Sequence, residues 1–313
     1  MRGRPAPFYA NLDKEKSVMI GLSRRSILYV PGDSEKMLRR SAGLPADVLM
    51  LNLEDGVAVS EKDHARDTVV QALDDVDFGS HEVVIRINSP DCDTGRRDLA
   101  AVIVLKPDGI CLPKIENQYE VLAVDTAIRE LETLHGIPEG TVRLHAMIES
   151  ASGVLHSAEI AAATPRMASL IFGSADYAND IRCRIGENRL EILLALQAIV
   201  LACRAAGIDA IDAPCFDIPN SSLLRRESMH ARSLGFDGKS ALHPGQLAVI
   251  NQVFDVSSEE IAWAEKVLAE LDAAEQRGKA LSTLDGNLID NPHRAAAQRI
   301  LRRNKNSNLK IED

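Results

Sequence analysis

The sequence predicts an α/β fold, a (β/α)8 barrel of the TIM type, with a C-terminal helical and extended appendage. Eight short aliphatic runs alternate with longer helical patterns, the rhythm of a parallel sheet whose strands are each followed by a helix. Several runs, such as Ser169-Leu170-Ile171-Phe172, are apolar on consecutive residues, as strands buried on both faces require. No G-x-G-x-x-G follows the first run, which disfavours a doubly wound open sheet.

The elements follow in order. Ser26–Val30 is the first strand and stops at Pro31-Gly32; Val48–Glu54 is the second, and Asp63–Leu73 is an amphipathic helix behind it. Val83–Asn88 and Gly109–Ile115 are the third and fourth strands, and Asn117–His135 is a helix that Gly136 ends. Arg143–Glu149 and Ala168–Gly173 are the fifth and sixth. Glu187–Ala206 is apolar almost all round (Leu190, Leu193, Leu194, Leu196, Ile199, Val200, Leu201), which predicts a buried helix closed by Gly207. Asp209–Pro214 and Lys239–Pro244 complete the eight. Ser257 then caps a helix with an acidic first turn. Beyond Gly278 come the turn Asp285-Gly286, the pair Leu288-Ile289, a helix His293–Arg303 and a polar tail. The expected organisation is an N-terminal extension (1–23), the barrel (24–278) and a C-terminal arm with tail (279–313).

Apolar residues make up 45% of the 313 but aromatics only 4%, so aliphatic side chains must fill the core. Thirty-six basic against 46 acidic residues give a net charge of −10, which excludes a general affinity for nucleic acid or a membrane surface. Five scattered cysteines without C-x-x-C spacing define neither a disulfide framework nor a zinc site, so a reducing cytoplasm is the expected setting. Ser23-Arg24-Arg25-Ser26 resembles a twin-arginine signal only faintly, because the apolar run behind it ends at Pro31. No run approaches membrane-spanning length.

In such a barrel, groups at the C-terminal strand ends converge on one face. Those positions hold Glu54-Asp55, Arg86 and Asn88, Lys114 and Glu116, Glu149, Asp176, Asp217 and His243. Charges ending apolar strands must pair, bind metal or face a solvated pocket. Glu54-Asp55-Gly56 also reads as the acidic start of a loop, Lys114 as a surface strand end and His243 as a rim histidine. Glu149 and Asp176 form a stronger pair: oxygen ligands from adjacent strand ends, with Ser150 and Gly173-Ser174 leaving room, suit a Mg²⁺ that retains water.

Taken together, Arg25-Ser26-Ile27-Leu28-Tyr29-Val30-Pro31-Gly32, Leu53-Glu54-Asp55-Gly56-Val57, Val84-Ile85-Arg86-Ile87-Asn88, Leu112-Pro113-Lys114-Ile115-Glu116, Met147-Ile148-Glu149-Ser150, Phe172-Gly173-Ser174-Ala175-Asp176, Leu242-His243-Pro244 and Leu288-Ile289-Asp290 form an ordered set. It resembles the citrate lyase β-subunit-like branch of the HpcH/HpaI aldolase superfamily, near the malyl-CoA and citramalyl-CoA lyases. The likeness runs from Arg24 to about Leu301.

The resemblance implies a homotrimer, or a dimer of trimers, of Mg²⁺-dependent barrels acting on an acyl-CoA thioester and a small 2-oxo acid. By position, Glu149 and Asp176 would hold the metal, Arg86 would stabilise the enolate, and Asp290, on an arm reaching a neighbouring barrel, would be the acid/base. Glu54, Asp55 and Lys114 would line the polar floor. Arg24 and Arg25, where the first motif begins, are the expected positive contacts for the acyl-CoA, ahead of Lys36, Arg39 and Arg40. Asn52 stands where relatives often have Asp, and Asn291 interrupts the usual C-terminal motif. The resemblance leaves two alternatives: a citrate lyase β subunit acting on a citryl group carried by an acyl carrier protein, its classical form shorter at the C-terminus, and a catalytically silent barrel subunit.

Overall fold

The computed structural model describes residues 23–309. The expected N-terminal extension, apart from Ser23, and the end of the tail lie outside the described residues. Eight parallel strands close into a barrel in sequence order: β1 (Ser26–Pro31), β2 (Val48–Asn52), β3 (Glu82–Arg86), β4 (Gly109–Leu112), β5 (Arg143–Ile148), β6 (Met167–Phe172), β7 (Asp209–Asp212) and β8 (Gly238–Ala241). β8 returns to pair with β1. All eight expected strands are present, but most end earlier than the apolar runs. Glu54, Asn88, Lys114 and Glu149 therefore stand just beyond their strands, at the mouth.

Every residue of β2, β3, β4, β6 and β8 is buried, the two-sided burial behind their unbroken apolar runs. One face packs under the helices. The other fills the barrel with Ile27, Val48, Met50, Val84, Cys111, Met147, Ile171 and Ile211, with Tyr29 above them. Register fixes the height of the site: Pro31 lies opposite Asn52, Asn52 opposite Arg86 and Arg86 opposite Cys111.

The helix expected over Glu187–Ala206 is shorter, a 3-10 turn at Leu190–Ile192 followed by an α-helix at Leu193–Ala206 that Gly207 ends in a left-handed conformation. Only part of it is buried. Leu196, Ile199 and Cys203 pack inward, whereas Leu190, Leu194 and Leu201 are 68%, 77% and 71% exposed. A helix of the outer layer shows one face to the barrel, and apolar residues all round do not say which.

The N-terminal pole of the barrel is closed by ion pairs. Arg24 reaches Glu82 at 2.6 Å and Asp209 at 2.6 Å, while Arg25 pairs with Asp47 at 2.9 Å. Glu82 also lies 3.6 Å from the buried ring of His145. Breaking one side of such a buried pair typically costs about 3–5 kcal/mol. These arginines brace the floor opposite the strand C-termini.

A second compact unit begins at Asp255, earlier than the expected boundary at 278. The helix Ser258–Gln276, expected to belong to the barrel, instead buries Ala264, Val267 and Leu271 with Ile289 and Ala297. Ser257 caps it in a reciprocal capping box with Glu260. A two-stranded hairpin, β9 (Ser282–Leu284) and β10 (Asn287–Ile289), turns through Asp285-Gly286 with positive φ at both residues, and the helix Asn291–Leu309 follows. Among the described residues no helix is long and apolar enough to cross a membrane.

Candidate active site at the strand C-termini

The β2 exit supplies an acidic turn held from three sides. The Asn52 side chain donates to the Asp55 carbonyl and accepts from the Glu54 N–H at 3.1 Å. An ionised aspartate cannot make the first bond, so the asparagine at this position is a turn brace. Lys62 donates to the carbonyls of Leu53 and Glu54, both at 2.8 Å. Asn88 donates to the Leu53 carbonyl at 2.9 Å and is itself fixed by buried Asp98. These donors occupy carbonyls that leave the β2–β3 ladder, a need that buried backbone groups always have.

Glu54 is thereby aimed inward. Its carboxylate pairs with Arg86 on one side and with Lys114 at 3.0 Å on the other. Asp55 completes the group at 3.4 Å from Lys114 and 3.8 Å from Arg86. Partial burial opposes ionisation of Asp55, but Lys114 and Arg86 outweigh it and hold the carboxyl below its ordinary range. Arg86 is 6% exposed, with its guanidinium carbon 5.7 Å from the centroid of the Tyr29 ring. Its Nε has no hydrogen-bond partner among the described residues. A buried cation with an unused donor calls for an anionic partner.

Across the mouth, Glu149 follows β5 and is 3% exposed. It accepts from the Lys114 backbone N–H at 2.9 Å. A Cβ at Gly173 would stand 2.5 Å from the Glu149 Cβ and closer still to Oε2; glycine is the residue that leaves the carboxylate its place. Burial pushes the Glu149 carboxyl up to about 7; Asp176 and Glu54 add repulsion, while Arg86 and the Lys114 N–H oppose it. Asp176 sits in the first turn of the short helix Ser174–Asp180. Asp180 from that helix accepts from the Ala151 N–H at 2.7 Å, linking the two loops that carry the carboxylates.

A desolvated carboxylate crowded by a second one is relieved by a cation. Among the described residues no group of three or more His, Cys, Asp and Glu is placed to hold a metal. Two oxygen donors therefore fit a hard ion that keeps several waters, such as Mg²⁺, and not a fully protein-ligated zinc.

The structure thus brings Glu54, Asp55, Arg86, Lys114, Glu149 and Asp176 to one mouth. It does not bring Arg24 and Arg25 there: both precede β1, lie at the opposite pole and spend their charge on Glu82, Asp209 and Asp47. That overturns their assignment as substrate contacts, because a residue entering a barrel strand stands at its N-terminal end. His243 accepts from Gly245 and caps a 3-10 turn, its rim role. Asp290 belongs to the second unit, where its carboxylate lies 2.7 Å from the His293 ring. The helix begins at Asn291, so Asp290 stands at its cap but engages a side chain. Tyr29, Lys62 and Asp98 escaped the sequence reading. Inward parity with Ile27 marks Tyr29; nothing local marks the other two.

Comparison with known proteins identifies the family. A family model described as HpcH/HpaI aldolase/citrate lyase matches residues 25–244. The chain is 37% identical to a (3S)-malyl-CoA thioesterase of Cereibacter sphaeroides, over 88% of this chain and 93% of that protein. It is 36% identical to the citrate lyase subunit beta of Leuconostoc mesenteroides subsp. cremoris, over 89% and 92% respectively. The solved protein CitE from Mycobacterium tuberculosis, in complex with magnesium, acetoacetate and coenzyme A, superposes with a TM-score of 0.72 at 28% identity, covering 90% of this chain and 98% of that one.

Proposed function

Since the chain belongs to the HpcH/HpaI aldolase/citrate lyase family, we propose that it is a carbon–carbon lyase for a 3-hydroxyacyl-CoA of the citramalyl-CoA or malyl-CoA type. The products are acetyl-CoA and a 2-oxo acid, pyruvate or glyoxylate. The observation that carries this reading is one mouth in which buried, partly unsatisfied Arg86 faces the desolvated carboxylate of Glu149 beside Asp176.

Glu149 and Asp176 would hold Mg²⁺, which when bound acidifies the substrate hydroxyl and stabilises the emerging 2-oxo acid. Cleavage breaks the C2–C3 bond, and its electron pair passes to the thioester as an enolate. Arg86 meets that growing negative charge with a fixed cation, held by Glu54 and the Tyr29 ring, so nothing need reorganise as the charge forms. Asp55 and Lys114 keep Glu54 in place, and Lys114 shares its charge with both carboxylates. Asp290 is the acid/base: its carboxylate takes the substrate hydroxyl proton as the C2–C3 bond breaks and returns it to the enolate carbon, acting on a neighbouring barrel of a cytoplasmic homotrimer. Mixing Asp290→Asn with Glu149→Gln subunits is then expected to restore activity that neither variant has alone. No recovery after confirmed subunit exchange would confine Asp290 to its own chain.

The similarity to a thioesterase supports a second reading, hydrolysis of the thioester at the same mouth. A panel of citramalyl-, malyl- and related acyl-CoA esters, with and without Mg²⁺, separates the two by product mass. Acetyl-CoA with a 2-oxo acid is the expected result. Free CoA with an intact hydroxy acid would establish the hydrolase, and turnover only of a carrier-protein thioester would indicate a citrate lyase subunit. Silence throughout would leave a non-catalytic barrel.

A further inference from the structure

We propose that Lys114 is a positioning residue whose left-handed backbone, and not its ammonium, sets the carboxylate of Glu149; the inference rests on the reading of Glu149 as a cation ligand. Lys114 has φ +55°, a region that side chains other than glycine enter at a cost and that clusters where function demands it. β4 ends at Leu112, and Pro113 stiffens the exit. On the far side, the Ile115 N–H returns to the Met147 carbonyl at 3.2 Å, so the chain is pinned on both sides of the kink.

The kink is what gives one residue two separate jobs. The Lys114 N–H leaves the ladder and donates to Glu149 Oε1 at 2.9 Å. The side chain goes the other way, its ammonium 3.0 Å from Glu54 and 3.4 Å from Asp55. Orientation of Glu149 therefore depends on the sign of φ at 114, and the Glu54 pairing depends on the side chain. Glycine keeps the first and loses the second. A β-branched residue loses both, because it is the poorest occupant of the left-handed region.

The test titrates Mn²⁺, as a probe for the divalent site, into full-length wild type and Lys114→Gly, Lys114→Ala and Lys114→Val, with melting curves and steady-state kinetics beside it. Lys114→Gly and Lys114→Ala are expected to keep the Mn²⁺ dissociation constant within about threefold, while Lys114→Val weakens it at least about tenfold, the usual loss when a metal ligand's supporting bond is removed. All three lose kcat, since all three lose the ammonium. Lys114→Gly should also melt at or above Lys114→Ala, the reverse of the usual order for the two residues. Equal Mn²⁺ affinity in Lys114→Val and Lys114→Gly overturns the proposal, as does a tenfold loss in Lys114→Gly. If Lys114→Val does not fold, the Gly and Ala variants still decide, through their affinities and melting order. A wild type that takes up no Mn²⁺ would remove the cation site itself, a different failure from equal binding by Val and Gly.

Discussion

Glu149→Gln is expected to lower turnover by about three orders of magnitude, several kcal/mol at roughly 1.4 kcal/mol per tenfold, and yet to stabilise the metal-free protein. The two effects have one cause. Glu149 is buried, and Asp176 and Glu54 repel its charge. Burial and repulsion disfavour its ionised form in the folded chain, a cost that the proposed cation would offset. Glutamine retains an oxygen for the Lys114 N–H and removes the charge, so the fold loses a repulsion. A gain of about 0.5–2 kcal/mol is typical where an active-site compromise is relieved. Asp176→Asn, at an exposed position, should lose activity with little change in melting temperature. Near-wild-type turnover in Glu149→Gln would take it out of the site, and a drop in melting temperature would make it a structural hub.

The barrel was legible because parallel strands buried on both faces leave unbroken aliphatic runs, and eight of them with intervening helices admit few architectures. The acidic and basic strand ends were legible for a related reason: a charge that closes an apolar run must find a partner, a metal or a solvated pocket. Arg24 and Arg25 were misplaced although strand direction was available. Residues that precede a parallel strand stand at its N-terminal pole, and the motif they begin concealed that. The exposed face of Leu190, Leu194 and Leu201 was illegible because all-round hydrophobicity carries no direction. The boundary at Asp255 was illegible for want of a glycine or proline there. Lys114 is the deepest case. Its residue type suggests a charge, whereas the structure uses its N–H and an unusual φ, and neither is written in the letter K.

Arg86→Lys is the second large effect expected, a fall of about 10²–10³ in kcat, the range seen when one preorganised donor to a developing oxyanion is lost. The substitution keeps the charge, so it isolates geometry. An ammonium cannot lie flat against the Tyr29 ring while pairing with Glu54 and still present a further donor; a guanidinium has a planar fork for this. The cation–ring contact and the Glu54 pair hold Arg86 on two sides, and its Nε, without a partner among the described residues, would be the donor for the proposed reacting anion. Arg86→Met would test less. It would remove one of the two salt bridges that Glu54 makes among the described residues and damage the fold along with the chemistry. Tyr29 provides the independent check. Tyr29→Phe keeps the ring under the guanidinium and should cost only a few-fold, about 1 kcal/mol or less, whereas Tyr29→Leu removes the platform and should approach the Arg86→Lys defect in kcat with KM little changed. Equal activity in Tyr29→Phe and Tyr29→Leu would show that Glu54 alone orients the arginine. Full activity in Arg86→Lys would mean that a point charge suffices and that the fork has no part in the reaction.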